Sequence, residues 1–146
     1  VRRVVPLVLV LVGLLLVVAG CGSATNDYRG KVADVQQKYE QQMTDLTTQG
    51  TTDIGSDPVA ASATFTQLAT VVSQFAEDVS AIKPPSDRKQ LADQLVGAYR
   101  TLAQASLDLK VALTTKDQAR LQKAVAEFND ATRQESAAVD AFNAAD

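Results

Sequence analysis

Few side chains in this sequence could carry out chemistry. It has no histidine and no tryptophan, one cysteine, Cys21, and one methionine, Met43. The common nucleophile–base pairs place His beside a Ser or Cys, and this composition cannot build them. Haem is usually held by His or by a Cys or Met ligand set. Di-iron bundles pair Glu-x-x-His motifs, and structural zinc draws on Cys and His. None of these ligand sets can be assembled, so no metal or cofactor and no catalytic residue is expected. Ser86-x-x-Lys89 matches a bare Ser–Lys pattern, but a serine capping a helix ahead of a solvated lysine gives the same string. Two softer groups remain. Lys116, Arg120 and Lys123 fall at helical spacing, with Lys110 before them, and offer a contact patch for an acidic partner or anionic polymer. Tyr39 and Tyr99 lie on apolar stripes, where they could line a pocket between helices.

The one reactive thiol sits in a defined setting. Arg2 and Arg3 precede an apolar run of 16 residues, Val4 to Ala19, which contains Pro6 and Gly13. A membrane-spanning helix needs about 20 apolar residues, so the run is short for a span. A positive stretch, an apolar stretch and then small residues form the pattern of a secretory signal peptide. Val18, Ala19 and Gly20 are small or compact enough for a peptidase to reach the backbone, and Cys21 then presents a thiol that a lipid can alkylate.

Over these 21 residues the chain resembles the bacterial lipoprotein signal peptide, with Val18-Ala19-Gly20-Cys21 at the lipobox and valine in place of the usual leucine. The resemblance implies recognition through Val18, Ala19 and Gly20 and cleavage before Cys21. It also implies diacylglycerol on the Cys21 sulfur, often with a further acyl group on the new N-terminus. Each buried lipid CH₂ contributes about 0.8 kcal/mol, and stable anchoring takes more than one chain. The expected location is the outer face of the cytoplasmic membrane, with membrane lipid held through Cys21.

Loss of residues 1–20 would remove two positive charges and no negative one, taking the net charge from −3 to −5 and leaving 126 residues. That length suits one domain with a core of its own. A mildly acidic chain without clustered basic charge is a poor partner for nucleic acid. With Cys21 lipidated, no disulfide is available.

The elements carrying these side chains read as helices throughout. Residues 21–26 read as the lipidated cysteine and a short tether, and residues 27–146 as the helical domain. The first helix is expected from about Asp27 to Thr48, with Tyr28, Val32, Val35, Tyr39, Met43 and Leu46 on one stripe. Gln36, Gln37, Gln41 and Gln42 fall mostly off it, and Gly50 is placed as a helix stop. Asp57-Pro58 reads as an N-cap and first position of a second helix. Its stripe, Phe65, Leu68, Val72, Phe75, Val79 and Ile82, is the most regular in the chain. Pro84-Pro85 ends it. Ser86 is expected to cap a third helix buried through Leu91, Leu95, Tyr99, Leu102, Ser106, Leu109 and Leu113, in which Gly97 would let a neighbouring helix approach. After Thr114–Asp117, the fourth helix carries Leu121, Val125, Phe128, Val139 and Phe142, with Ala131, Thr132 and Ala138 between them.

Short connections between long helices favour antiparallel neighbours. The expected fold is all-α, an antiparallel up-down-up-down four-helix bundle after a cleaved signal peptide. A three-helix bundle with a loosely docked first helix is the alternative. The Ile82-Lys83-Pro84-Pro85 turn and the helix after it resemble uncharacterised Ala-rich helical lipoproteins of actinobacteria. Two functional readings follow. The first is a non-enzymatic adaptor or accessory protein that contacts an envelope protein or the cell wall. The second is a ligand-binding or sensory bundle with a pocket between helices. The first expects a filled core, the second an internal cavity near Tyr39 or Tyr99 with polar groups turned inward.

Overall fold

A computed structural model describes residues 24–115 and 117–145. The signal segment, with Val18, Ala19, Gly20 and Cys21, lies outside the described residues, as does Lys116. The described chain folds into four helices and contains no strand: α1 (Ala24–Asp53), α2 (Pro58–Ser80), α3 (Lys89–Thr114) and α4 (Gln118–Ala144). None is long and apolar enough to cross a membrane.

Two helices start where aspartate supplies the cap. Asp57 accepts hydrogen bonds from the backbone N–H groups of Val59 and Ala60 at 3.1 and 3.0 Å, with Pro58 at the first helical position. Asp117 does the same for Ala119 and Arg120 at 2.9 and 3.1 Å. Each cap satisfies N–H groups that lack an intrahelical partner. α3 begins differently. Residues 86–88 form a turn in which the Arg88 N–H donates to the Pro85 carbonyl at 3.0 Å. Arg88, not Ser86, holds the cap position, and its side chain makes no capping bond.

α1 is longer than its sequence pattern suggests at both ends. It starts at Ala24, within the stretch read as a tether, and it passes through Gly50 to Asp53. Gly50 is not a stop. It is buried against α2, where a β-carbon would lie 3.0 Å from Cζ of Phe65 and 3.3 Å from Cγ2 of Thr64. Glycine here allows two helices to touch. Gly97 has no such role, because a β-carbon there would meet nothing within 4 Å.

The core is centred on α2. Phe65, Leu68, Val72, Phe75 and Val79 are at most 1% exposed. Val32 of α1 and Leu109 of α3 are equally enclosed. The Phe75 ring lies 4.2 Å from the Tyr99 ring and 6.0 Å, edge-on, from the Tyr39 ring. Phe65 meets Phe128 at 5.3 Å, also edge-on. Polar side chains inside the core mostly return their hydroxyls to the preceding turn. Thr64 donates to the Ala60 carbonyl at 3.0 Å, and the fully buried Ser106 to that of Leu102 at 2.8 Å. Their hydrogen-bonding demand is thus met locally.

Helices adjacent in sequence pack against each other: α1 on α2, α2 on α3, α3 on α4. Among the described residues, no Cα of α1 comes within 8 Å of a Cα of α4. These two helices meet through side chains at one end. Tyr28 packs edge-on against Phe142 at 6.0 Å, and Arg29 Nη2 donates to the Asn143 carbonyl at 3.0 Å.

Candidate functional site

Beyond the Tyr28–Phe142 contact, the seam between α1 and α4 opens into a partly open cleft of about 140 Å³. All four helices line it. Leu68 and Val72 of α2 and Leu102 of α3 form an apolar floor. Met43 of α1 and Phe128 of α4 form apolar walls, and Thr44, Thr47, Thr48 and Thr132 edge it. The polar groups within it are Gln36 and Glu40 of α1, Tyr99 of α3 and Glu135 of α4.

Glu135 is the unexpected member. It occupies a core position of α4, following Phe128 and Ala131 and preceding Val139 and Phe142 at helical spacing, and it is 2% exposed. Its Oε1 accepts a hydrogen bond of 2.8 Å from the Tyr99 hydroxyl. Burial pushes the Glu135 carboxyl above the usual carboxylate range, and Asp140 one turn further on adds to the shift. Hydrogen bonds from Tyr99 and Ser136 work against it. Tyr99 is held well above the ordinary tyrosine value by burial first, then by the charge and hydrogen bond of Glu135 and the charge of Glu40. A buried carboxyl costs stability unless it is paired, and the hydroxyls of Tyr99 and Ser136 are a partial pairing.

Gln36 is the second. It is 8% exposed, lies on the inward face of α1, and its amide has no hydrogen-bond partner among the described residues. Val35, which the stripe places inside, is only partly buried. A rotation of the stripe by one residue therefore puts an amide into the cleft where the spacing suggested a valine.

The two tyrosines occupy different settings. Tyr99 lines the cleft. Tyr39 faces away from it, donating its hydroxyl to Asp78 of α2 at 2.8 Å. Lys38 Nζ joins the same carboxylate at 3.0 Å, and these two hydrogen bonds hold Asp78 below the usual range. Among the described basic residues, Arg120 and Lys123 lie together near the start of α4. Lys123 pairs with Glu127 at 3.6 Å, and Arg120 and Lys123 border a shallow depression with Asp108 and Glu127, so the local charge is balanced. Lys110 is half-buried on α3. Among the described residues, no cluster of His, Cys, Asp or Glu is grouped to hold a metal ion.

The cleft carries carboxyl, amide and phenol groups, and among the described residues no lysine or arginine lines it. Such a site can bind and orient a small molecule. Comparison with known proteins gives no matching family model, no matching curated protein and no matching solved structure.

Proposed function

We propose that this chain is a lipid-anchored, extracytoplasmic binding protein. In this reading an antiparallel up-down-up-down four-helix bundle holds a small molecule in the cleft between α1 and α4, without catalysing a reaction. The observation that carries the reading is the cleft itself: apolar floor and walls, with Glu135 and Gln36 buried at positions where a purely structural bundle places leucine or alanine. Ligand pockets characteristically combine an apolar lining with a few placed polar groups. A space of roughly 150 Å³ lined by apolar side chains is enough for a benzene-sized molecule, and the seam leaves room for a longer one to extend outward.

The antiparallel arrangement is supported by the order of contacts. Gly50 meets Phe65 while Tyr39 meets Phe75 and Asp78, so α2 descends as α1 rises. The Tyr28–Phe142 contact puts the start of α1 beside the end of α4. With lipid on Cys21, this end faces the membrane and the 54–57 connection and the start of α4 face outward.

Two experiments test the reading. Fractionation of cells expressing the full chain should place it with membranes, with acyl mass on Cys21, and Cys21→Ser should release it or leave it unprocessed. Recovery of both forms in the soluble fraction would remove the anchor. Melting of the purified chain against single-ring compounds should show concentration-dependent shifts that Met43→Trp, which fills the cleft, suppresses. Melting that no compound moves in either protein would remove the binding role and return weight to an adaptor acting on an envelope protein or the cell wall.

A further inference from the structure

We propose that the ligand is a small organic amine: a compact apolar body carrying a positive charge. This deepens, and rests on, the reading of the α1–α4 cleft as a binding site. Charge complementarity comes first. Glu135 and Glu40 both line the cleft, from α4 and α1, and among the described residues no cationic side chain balances them there. An anionic ligand would meet two carboxyl groups and no counter-charge, whereas an ammonium would be attracted by both. Gln36 supplies an independent observation. Gln36 is 8% exposed, lines the cleft and has no hydrogen-bond partner among the described residues. Its side-chain carbonyl can accept one of the three N–H donors of a primary ammonium.

The placement along the helices sets the ligand's shape. From the Tyr28–Phe142 contact, Gln36 lies eight residues along α1 and Glu135 seven back along α4. At 1.5 Å per residue both stand about 11 Å from that contact, so they face each other across the seam. Met43 and Phe128 lie about 10 Å further on, again at matching heights. The charged and apolar ends of the cleft are therefore separate. The ammonium sits among Glu135, Gln36 and Glu40, and the apolar body rests between Met43 and Phe128 over Leu68 and Val72. Tyr99 keeps its bond to Glu135 and positions that carboxylate.

The test uses the full chain in lipid nanodiscs and three probes of one shape: benzylamine, benzyl alcohol and benzoate, titrated calorimetrically at neutral pH with empty nanodiscs subtracted. Benzylamine should bind at least tenfold more tightly than benzyl alcohol, and benzoate more weakly than either. Glu135→Gln should reduce the amine preference to threefold or less with benzyl alcohol affinity retained. Glu40→Gln, at a half-exposed position where folding is not at risk, should reduce it partly. Equal binding of all three probes, or full preference in both variants, would overturn the amine assignment and leave the cleft as a site for neutral molecules. No binding of any probe would overturn the cleft reading as well.

Discussion

The α2–α3 contact and the α1–α4 seam are built differently: α2 and α3 pack directly, whereas among the described residues no Cα of α1 comes within 8 Å of one of α4. In the first, the Phe75 ring lies 4.2 Å from the Tyr99 ring, and both are at most 2% exposed. The second presents Gln36, Glu40, Thr44, Thr47, Thr132 and Glu135 along most of its length. Large branched or aromatic side chains interdigitate and draw helices together. Short or polar ones give little burial in return for desolvation. Among the described residues, the seam closes where Tyr28 meets Phe142 and Arg29 meets Asn143. In this fold the residues on the inward stripes decide which pair of helices closes and which parts.

The largest expected effect comes from breaking the closed side. Phe75→Ala removes a ring that contacts both Tyr39 and Tyr99, and it should cost about 3–5 kcal/mol in denaturant unfolding. Gly50→Ala comes next. Phe65 is fully buried and held against Phe128, so it cannot retreat from a new methyl group 3.0 Å away. Overpacking of about 1–3 kcal/mol should outweigh the roughly 1 kcal/mol that alanine contributes to a helix. A gain in stability would show that α1 and α2 lie further apart.

Gly97→Ala is the paired control on an exposed face of α3. With nothing to meet the new β-carbon, it should stabilise by about 0.5–1 kcal/mol. The two glycines should thus respond with opposite signs.

Glu135→Gln sharpens the comparison through pH. The folded carboxyl has a raised pKa, so the folded state holds this proton more tightly than the unfolded state. Its contribution is fully present below the unfolded value of about 4.3 and is lost as pH rises through the folded value. Glutamine never ionises. The variant should therefore match the wild type at low pH and become the more stable of the two toward neutrality, as measured by parallel urea titrations across pH. A constant difference at every pH would mean that Glu135 is solvated in the folded protein.

Much of the closed side was legible in the sequence. The 3-4 spacing from Phe65 to Val79 and the Asp57-Pro58 start follow directly from helical periodicity and capping, and α2 bears both out. The cleft was not legible in the same way, because its polar residues share helix faces with the core. Glu135 continues the spacing from Phe128 through Ala131 to Val139 and Phe142, but a search for apolar positions skips it. Gln36 adjoins Val35, and periodicity alone does not resolve a rotation of one residue. Gly50 misleads for a related reason: glycine marks both helix ends and close helix contacts, and only the approach of Phe65 separates the two. Tyr39 and Tyr99 occupy similar stripes, and their partners, Asp78 and Glu135, are set by tertiary packing.

The most direct single measurement is methyl NMR of the full chain with ¹³C-labelled Met, Leu and Val, before and after saturation with benzylamine. If the open seam is the binding site, the methyl signals of Met43, Leu68, Val72 and Leu102 move together. Those of the exposed Val59, Leu107 and Val111, which lie away from the cleft, stay in place. Cleft methyls that remain still while the surface methyls move would contradict it.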